Sequence, residues 1–153
     1  CMVGFIGSEI QMNFTCLGDG VNLASRLEGA NKAYGTLMMI ADSVHNRIDR
    51  GLISTRFLDF LAVKGKDRPV EVFEVRGYRR DEAELWLQAE SAYKDGINLY
   101  LARDWEKAIA AFSTVLQLLP EDGPAQVYID RCEEFKQHPP PETWDGRYIL
   151  KSK

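Results

Sequence analysis

Four side chains in this sequence have the types and spacing to act together on a phosphorylated sugar. Asn22 and Arg26 are four residues apart within Thr15-Cys16-Leu17-Gly18-Asp19-Gly20-Val21-Asn22-Leu23-Ala24-Ser25-Arg26-Leu27-Glu28. Four residues is about 40° of projection on a helix, so both side chains leave from one face near its N-terminal end. An amide that donates and accepts, beside a guanidinium fork, suits a sugar hydroxyl next to a phosphate. The same spacing also serves a plain solvated pair, with Arg26 bridging Glu28 or another surface carboxylate. Lys64 lies in Val63-Lys64-Gly65-Lys66, where a point charge and a glycine that admits close backbone approach suit a polyphosphate. A solvated hairpin turn has the same composition. Thr15 and the glycine-flanked Asp19 are unremarkable alone, a strand-edge hydroxyl and a helix cap.

The elements that must position these residues change period halfway along the chain. From Cys1 to about Gly77, strand-like runs alternate with one clear helix. Met12 to Leu17 ends at the turn cluster Gly18-Asp19-Gly20. The helix expected from Val21 to Ala33 carries Leu23, Ala24, Leu27 and Ala30 on one stripe and stops near Tyr34-Gly35. A short apolar run, Leu37 to Ile40, precedes a short helix beginning near Ala41-Asp42-Ser43. Strands are expected over Thr55 to Val63 and Val70 to Val75, around the turn Lys64 to Pro69. After Gly77 a charged connector, Tyr78 to Glu82, leads into three helical patterns. Trp86, Ala89, Tyr93, Ile97 and Tyr100 line the first. Trp105, Ala108, Ile109, Phe112, Leu116 and Leu119 line the second, between Asp104 and Pro120. Asp122-Gly123-Pro124 opens the third, with Val127, Tyr128, Cys132 and Phe135 as its buried positions. A tail with Pro139-Pro140-Pro141 is extended and could pack Trp144 and Tyr148 back onto the helices. The fold class is therefore α+β over residues 1–77, followed by an all-α segment over 78–137 and a Pro-rich tail over 138–153.

Composition narrows the function classes. The 153 residues carry 19 Lys and Arg against 23 Asp and Glu, a net −4. Nucleic acid and anionic membrane surfaces both reward a strong basic excess, so neither is the expected partner. No apolar run approaches the roughly 18 residues of a membrane span, and the N-terminus lacks the pattern of a signal peptide. Cys1, Cys16 and Cys132 are widely spaced, and His45 and His138 are the two histidines that could join them. That is no zinc set, and it points to a reducing, cytoplasmic compartment.

Taken together and in this order, the motifs resemble the class III nucleotidyl cyclases, the catalytic domains of adenylate and guanylate cyclases. The residues that carry the resemblance are Gly4-Phe5-Ile6-Gly7-Ser8, Phe14-Thr15 with Gly18-Asp19-Gly20-Val21-Asn22 and Ala24-Ser25-Arg26-Leu27-Glu28, Tyr34-Gly35-Thr36, Leu58-Asp59, Val63 to Lys66, and Pro69-Val70 with Val72 to Val75. They cover residues 1 to about 77 and imply a partial ferredoxin-like, βαββαβ-type domain. The resemblance implies that Asn22 orients the ribose, that Arg26 stabilises charge on the phosphorus under attack, and that Lys64 holds the terminal phosphates. Thr15 falls where the family reads the purine, and threonine there resembles the subgroup in which a hydroxyl replaces an aspartate and adenine remains the base. Phe5 departs from the Asn common at its position. The implied reaction is attack of the ribose 3′ oxygen on the α-phosphate of ATP, giving cyclic AMP and pyrophosphate for intracellular signal transduction, with two Mg²⁺ or Mn²⁺ ions.

The same resemblance implies what this stretch lacks. The family's metal-binding aspartates and purine-contacting lysine precede the Gly4 region, so Cys1 marks a cut through the domain and the chain by itself is expected to be inactive. Asp19 does not replace them. Such sites form between two paired domains, which implies a homodimer in the complete protein. The helical segment is similar to a tetratricopeptide repeat, with Gly96, Trp105, Ala108, Phe112 and Pro120 at the repeat's small, aromatic, small, aromatic and proline positions. An ordinary helical hairpin docked on the first half fits the same pattern. The leading expectation is the C-terminal part of a bacterial adenylate cyclase; the rival is a non-catalytic module whose helices bind a protein partner.

Overall fold

A computed structural model describes residues 1–8, 12–61, 69–81 and 83–146. The chain opens with an antiparallel hairpin, β1 (Met2–Gly7) against β2 (Met12–Leu17), with Met2 opposite Leu17 and Gly7 opposite Met12. From β2 the backbone turns at Gly18 directly into α1 (Asp19–Tyr34). Next come β3 (Met39–Ala41), α2 (Asp42–His45), β4 (Ile53–Leu61) and β5 (Val70–Tyr78), and the second sheet has the antiparallel order β3-β5-β4. A 3-10 turn, Arg79–Asp81, leads to α3 (Glu84–Leu101), α4 (Trp105–Leu118) and α5 (Gly123–Gln137). Antiparallel strands followed by a run of helices make this an α+β fold.

α1 forms where the apolar stripe predicts, with two corrections. Asp19 is not the cap: Gly18 occupies that position without a side-chain bond, and Asp19 is the first helical residue, where its charge complements the helix dipole. Ala24 is exposed, and the buried stripe is Leu27, Ala30 and Tyr34, where the helix meets the second sheet. Gly35 ends α1 in the left-handed region at φ 66°, its N–H donating to Asn31 O.

β4 departs from simple alternation. Phe57 lies opposite Phe73 and Asp59 opposite Val72, so Leu58 is an extra residue, a bulge. The inserted residue lets Leu58 and Asp59 both turn inward, each at 1% exposure or less. The expected strands ran from Thr55 and stopped at Val75; β4 starts two residues earlier and β5 continues to Tyr78.

The helices enclose a core of Ala89, Tyr93, Ile97, Tyr100, Ala108, Phe112, Val115, Ala125, Tyr128 and Cys132. Asp104 caps α4 by accepting from Lys107 N at 3.3 Å, and Asp122 caps α5 by accepting from Ala125 N at 2.9 Å. Gly96 is required by contact: a Cβ there would stand 2.7 Å from the Phe112 ring. Trp144 folds back onto Tyr100, Trp105 and Phe135, with ring centroids 5.2 to 5.8 Å apart. Tyr148, expected to do the same, lies outside the described residues. Arg103, at φ 62°, holds the tail by donating to Pro141 O at 2.5 Å and Glu142 O at 3.1 Å. The two cores interlock, since Phe57 of β4 packs into the helical core and Val127 of α5 into the sheet core. Among the described residues no helix is long and apolar enough to cross a membrane.

Candidate functional site

Three of the four sequence-selected residues lie on one continuous strand, turn and helix. Thr15 is in the middle of β2, half-buried, opposite Gly4 of β1. Gly18 makes the turn at φ 143°, with Cys1 so close that a Cβ would stand 3.1 Å from its Cα. The Gly18 carbonyl accepts from the N–H groups of Val21 and Asn22, at 3.0 and 3.1 Å. One turn apart in the first half of α1, Asn22 and Arg26 are both exposed and flank the buried stripe rather than join it. A hydroxyl, an amide and a guanidinium are thus carried past one tight turn. Lys64 and the rest of Val63 to Lys66 lie outside the described residues. The hairpin beside these residues presents Phe5 and Phe14 to solvent at 68% and 66% exposure, their rings packed edge to face at 5.2 Å.

A second constellation was not legible from motif spacing. Tyr34, the last residue of α1, donates its hydroxyl to Asp59 Oδ2 of β4, and the same hydroxyl accepts from Arg131 Nη2 of α5 at 2.5 Å. Arg131 Nη1 also donates to Asp59 Oδ2, at 2.8 Å. Burial raises the Tyr34 pKa above the ordinary phenol range, so the hydroxyl stays protonated and able to donate. Burial opposes the Arg131 charge, but Asp59 together with Tyr34, Tyr128 and Tyr100 outweighs it and the guanidinium pKa lies above its usual value. Beside this trio, Arg56 of β4 donates to Glu74 Oε2 from Nε and Nη2, at 2.9 and 2.6 Å, and to Asp122 Oδ2 from Nη1, at 2.6 Å. Tyr128 donates to the carbonyl of the bulged Leu58 at 2.7 Å. The signal available in sequence was weak: one basic residue, Arg131, in the apolar stripe of α5 beside Tyr128 and Cys132.

A cleft of about 680 Å³ runs above the Arg56 pairs, walled by Leu37, Val75, Trp86, Leu119 and Pro120. Arg76 stacks on Trp86 at 3.5 Å across its rim. Among the described residues no group of three His, Cys, Asp or Glu side chains is placed to hold a metal ion, so these residues do not fit a metal centre of their own.

Comparison with known proteins gives a consistent family signal. The chain is 35% identical over 136 residues to a protein of Dictyostelium discoideum named adenylate cyclase, terminal-differentiation specific, a match covering 86% of this chain and 6% of that protein. It is 35% identical over 79 residues to adenylate cyclase 1 of Rhizobium meliloti (strain 1021), covering 52% of this chain and 12% of the relative. An adenylate cyclase of Anabaena cylindrica is 36% identical over 77 residues, 49% of this chain and 15% of the relative. No family model matches the chain. These matches support a family relationship with the adenylate cyclases, of which the chain spans a small part. The 136-residue match is longer than the strand-rich half, so it runs into the helices.

Proposed function

We propose that this chain is the C-terminal part of a class III adenylate cyclase, contributing ribose-orienting and charge-stabilising groups to a site that makes cyclic AMP from ATP. The observation that carries the reading is the exposed pair Asn22 and Arg26 at the start of α1, directly after the Thr15 strand and the Gly18 turn, in a chain related to proteins named adenylate cyclase. In this reading Asn22 holds the ribose and Thr15 faces the adenine edge. Arg26 meets the negative charge that grows on the α-phosphate as the 3′ oxygen bonds to phosphorus and the bond to the pyrophosphate oxygen breaks. Lys64 holds the departing phosphates. In this reading the divalent ions of such chemistry take their ligands from a longer polypeptide, and the isolated chain is inactive. The partner half-site would come from a second copy. The sheet segment is read as part of a ferredoxin-like domain, and α3 with α4 as a tetratricopeptide-like pair, supported by the Gly96 to Phe112 approach.

The test is Arg26→Ala in the complete polypeptide. Losing one preorganised donor to transition-state charge should lower kcat by about a hundredfold with little change in KM for ATP. A rate within twofold of the parent would remove Arg26 from this role.

A further inference from the structure

We infer that Arg131, acting through Asp59 and Tyr34, is a positioning residue that sets the angle of α1 and so the placement of Asn22 and Arg26; this rests on the cyclase reading above. The two ends of α1 are held differently. At its C-terminal end Tyr34 is fully buried and shares hydrogen bonds with Asp59 and Arg131, all three at 3% exposure or less. The first turn of α5 closes on the same point, where a Cβ on Gly123 would stand 2.2 Å from Tyr34 O. Gly35 and Thr36 both donate their N–H groups to Asn31 O, and Thr36 Oγ1 donates to Asn31 Oδ1 at 2.8 Å, which fixes the exit of the helix. At its N-terminal end α1 emerges from Gly18 beside a hairpin whose Met12, Phe5 and Phe14 side chains face solvent. Arg26 is eight residues from Tyr34 and Asn22 twelve, roughly 12 and 18 Å along the axis at about 1.5 Å per residue. Leu23, Leu27 and Ala30 pack α1 against the sheet through non-directional apolar contacts, so the hydrogen bonds at Tyr34 set the helix direction, and a small rotation there becomes a displacement of about an ångström at Arg26, enough to matter to a reaction that depends on placement.

The chemistry of the anchor favours geometry over plain stability. A buried ion pair adds little net stability over apolar residues of the same volume, whereas its bond directions fix how the elements meet. Arg131 belongs to α5, so the helical segment reaches into the half of the chain that carries Asn22 and Arg26.

The experiment uses the complete polypeptide with Tyr34→Phe and Arg131→Lys, each alone and combined with Arg26→Ala. Tyr34→Phe removes one hydroxyl, so it carries the test if Arg131→Lys fails to fold. Each single variant should lower kcat about tenfold, with KM for ATP within about twofold. Each should cost a clearly smaller factor in the Arg26→Ala background, because α1 then has only Asn22 left to place. Amide hydrogen exchange should quicken about threefold or more over residues 19–28 and stay unchanged in β5. Equal fractional losses in both backgrounds, with unchanged exchange over 19–28, would overturn the inference. If Arg26→Ala alone leaves turnover intact, the cyclase reading falls, and exchange over 19–28 decides the coupling by itself.

Discussion

Asp122 does two jobs with one carboxylate, and its removal gives the sharpest measure of how firmly the helices are joined to the sheet. Oδ1 accepts from Ala125 N at 2.9 Å and caps α5, while Oδ2 accepts from Arg56 Nη1 at 2.6 Å. Loss of an Asp cap costs about 1 kcal/mol. Breaking a buried pair and leaving the partner uncompensated costs roughly 3–5 kcal/mol. Arg56 keeps both bonds to Glu74, so about 2 kcal/mol is the fitting share here. Asp122→Ala should therefore destabilise the chain by about 3 kcal/mol, and Asp122→Asn, which keeps a capping oxygen, by about 2. For a chain of this size each kcal/mol lowers Tm by about 2–4 °C, so the alanine variant should melt roughly 6–12 °C below the parent. The assay is urea unfolding of the 153-residue chain followed by far-ultraviolet circular dichroism and by tryptophan fluorescence. Trp86, Trp105 and Trp144 all lie in the helical segment and tail, so coincident transitions would report one interlocked unit. A loss below about 1 kcal/mol for Asp122→Ala, or separate transitions by the two probes in the parent, would refute the joined architecture.

Gly96→Ala should cost about 1–3 kcal/mol in the same assay, since the added methyl meets the Phe112 ring of α4 at 2.7 Å. Cys132 is fully buried, and burial pushes its thiol up to about 12; a thiol reagent at pH 8 should label Cys1 and Cys16 quickly and Cys132 only on unfolding. His45 stacks on Phe73 at 3.8 Å and shares a 3.1 Å hydrogen bond with Thr55. Burial and then Arg50 lower its pKa below the ordinary 6.5, against Glu71. The unfolded chain then binds this proton at a higher pH than the folded one. The stabilisation is fully present above about pH 6.5 and is lost as pH falls through the lower folded value. Urea midpoints measured from pH 7.5 to 5 should show that fall in the parent and a shallower one in His45→Gln.

Much of the architecture follows from local pattern. α1, α3, α4 and α5 were legible because their buried residues recur at helical spacing, and Asp104, Asp122, Pro124 and Gly35 punctuate their ends as capping chemistry requires. The return of Trp144 was legible as an aromatic, one of two with Tyr148, in a Pro-rich tail. Asp19 was misread because an acidic residue after glycine looks the same as a cap or as a first-turn residue; the Gly18 backbone decided between them. The bulge at Leu58 had no marker, because register depends on the strand opposite.

For the candidate site the division is the same. The order of Thr15, Gly18, Asn22 and Arg26 on one strand, turn and helix is a property of adjacent residues, so the sequence determined it, together with the kinship to adenylate cyclases that those motifs carry. The anchoring of α1 was decided only in three dimensions. Tyr34, Asp59 and Arg131 are separated by 25 and 72 positions, nothing in their spacing pairs them, and a buried charge becomes permissible only where a distant segment supplies its partner.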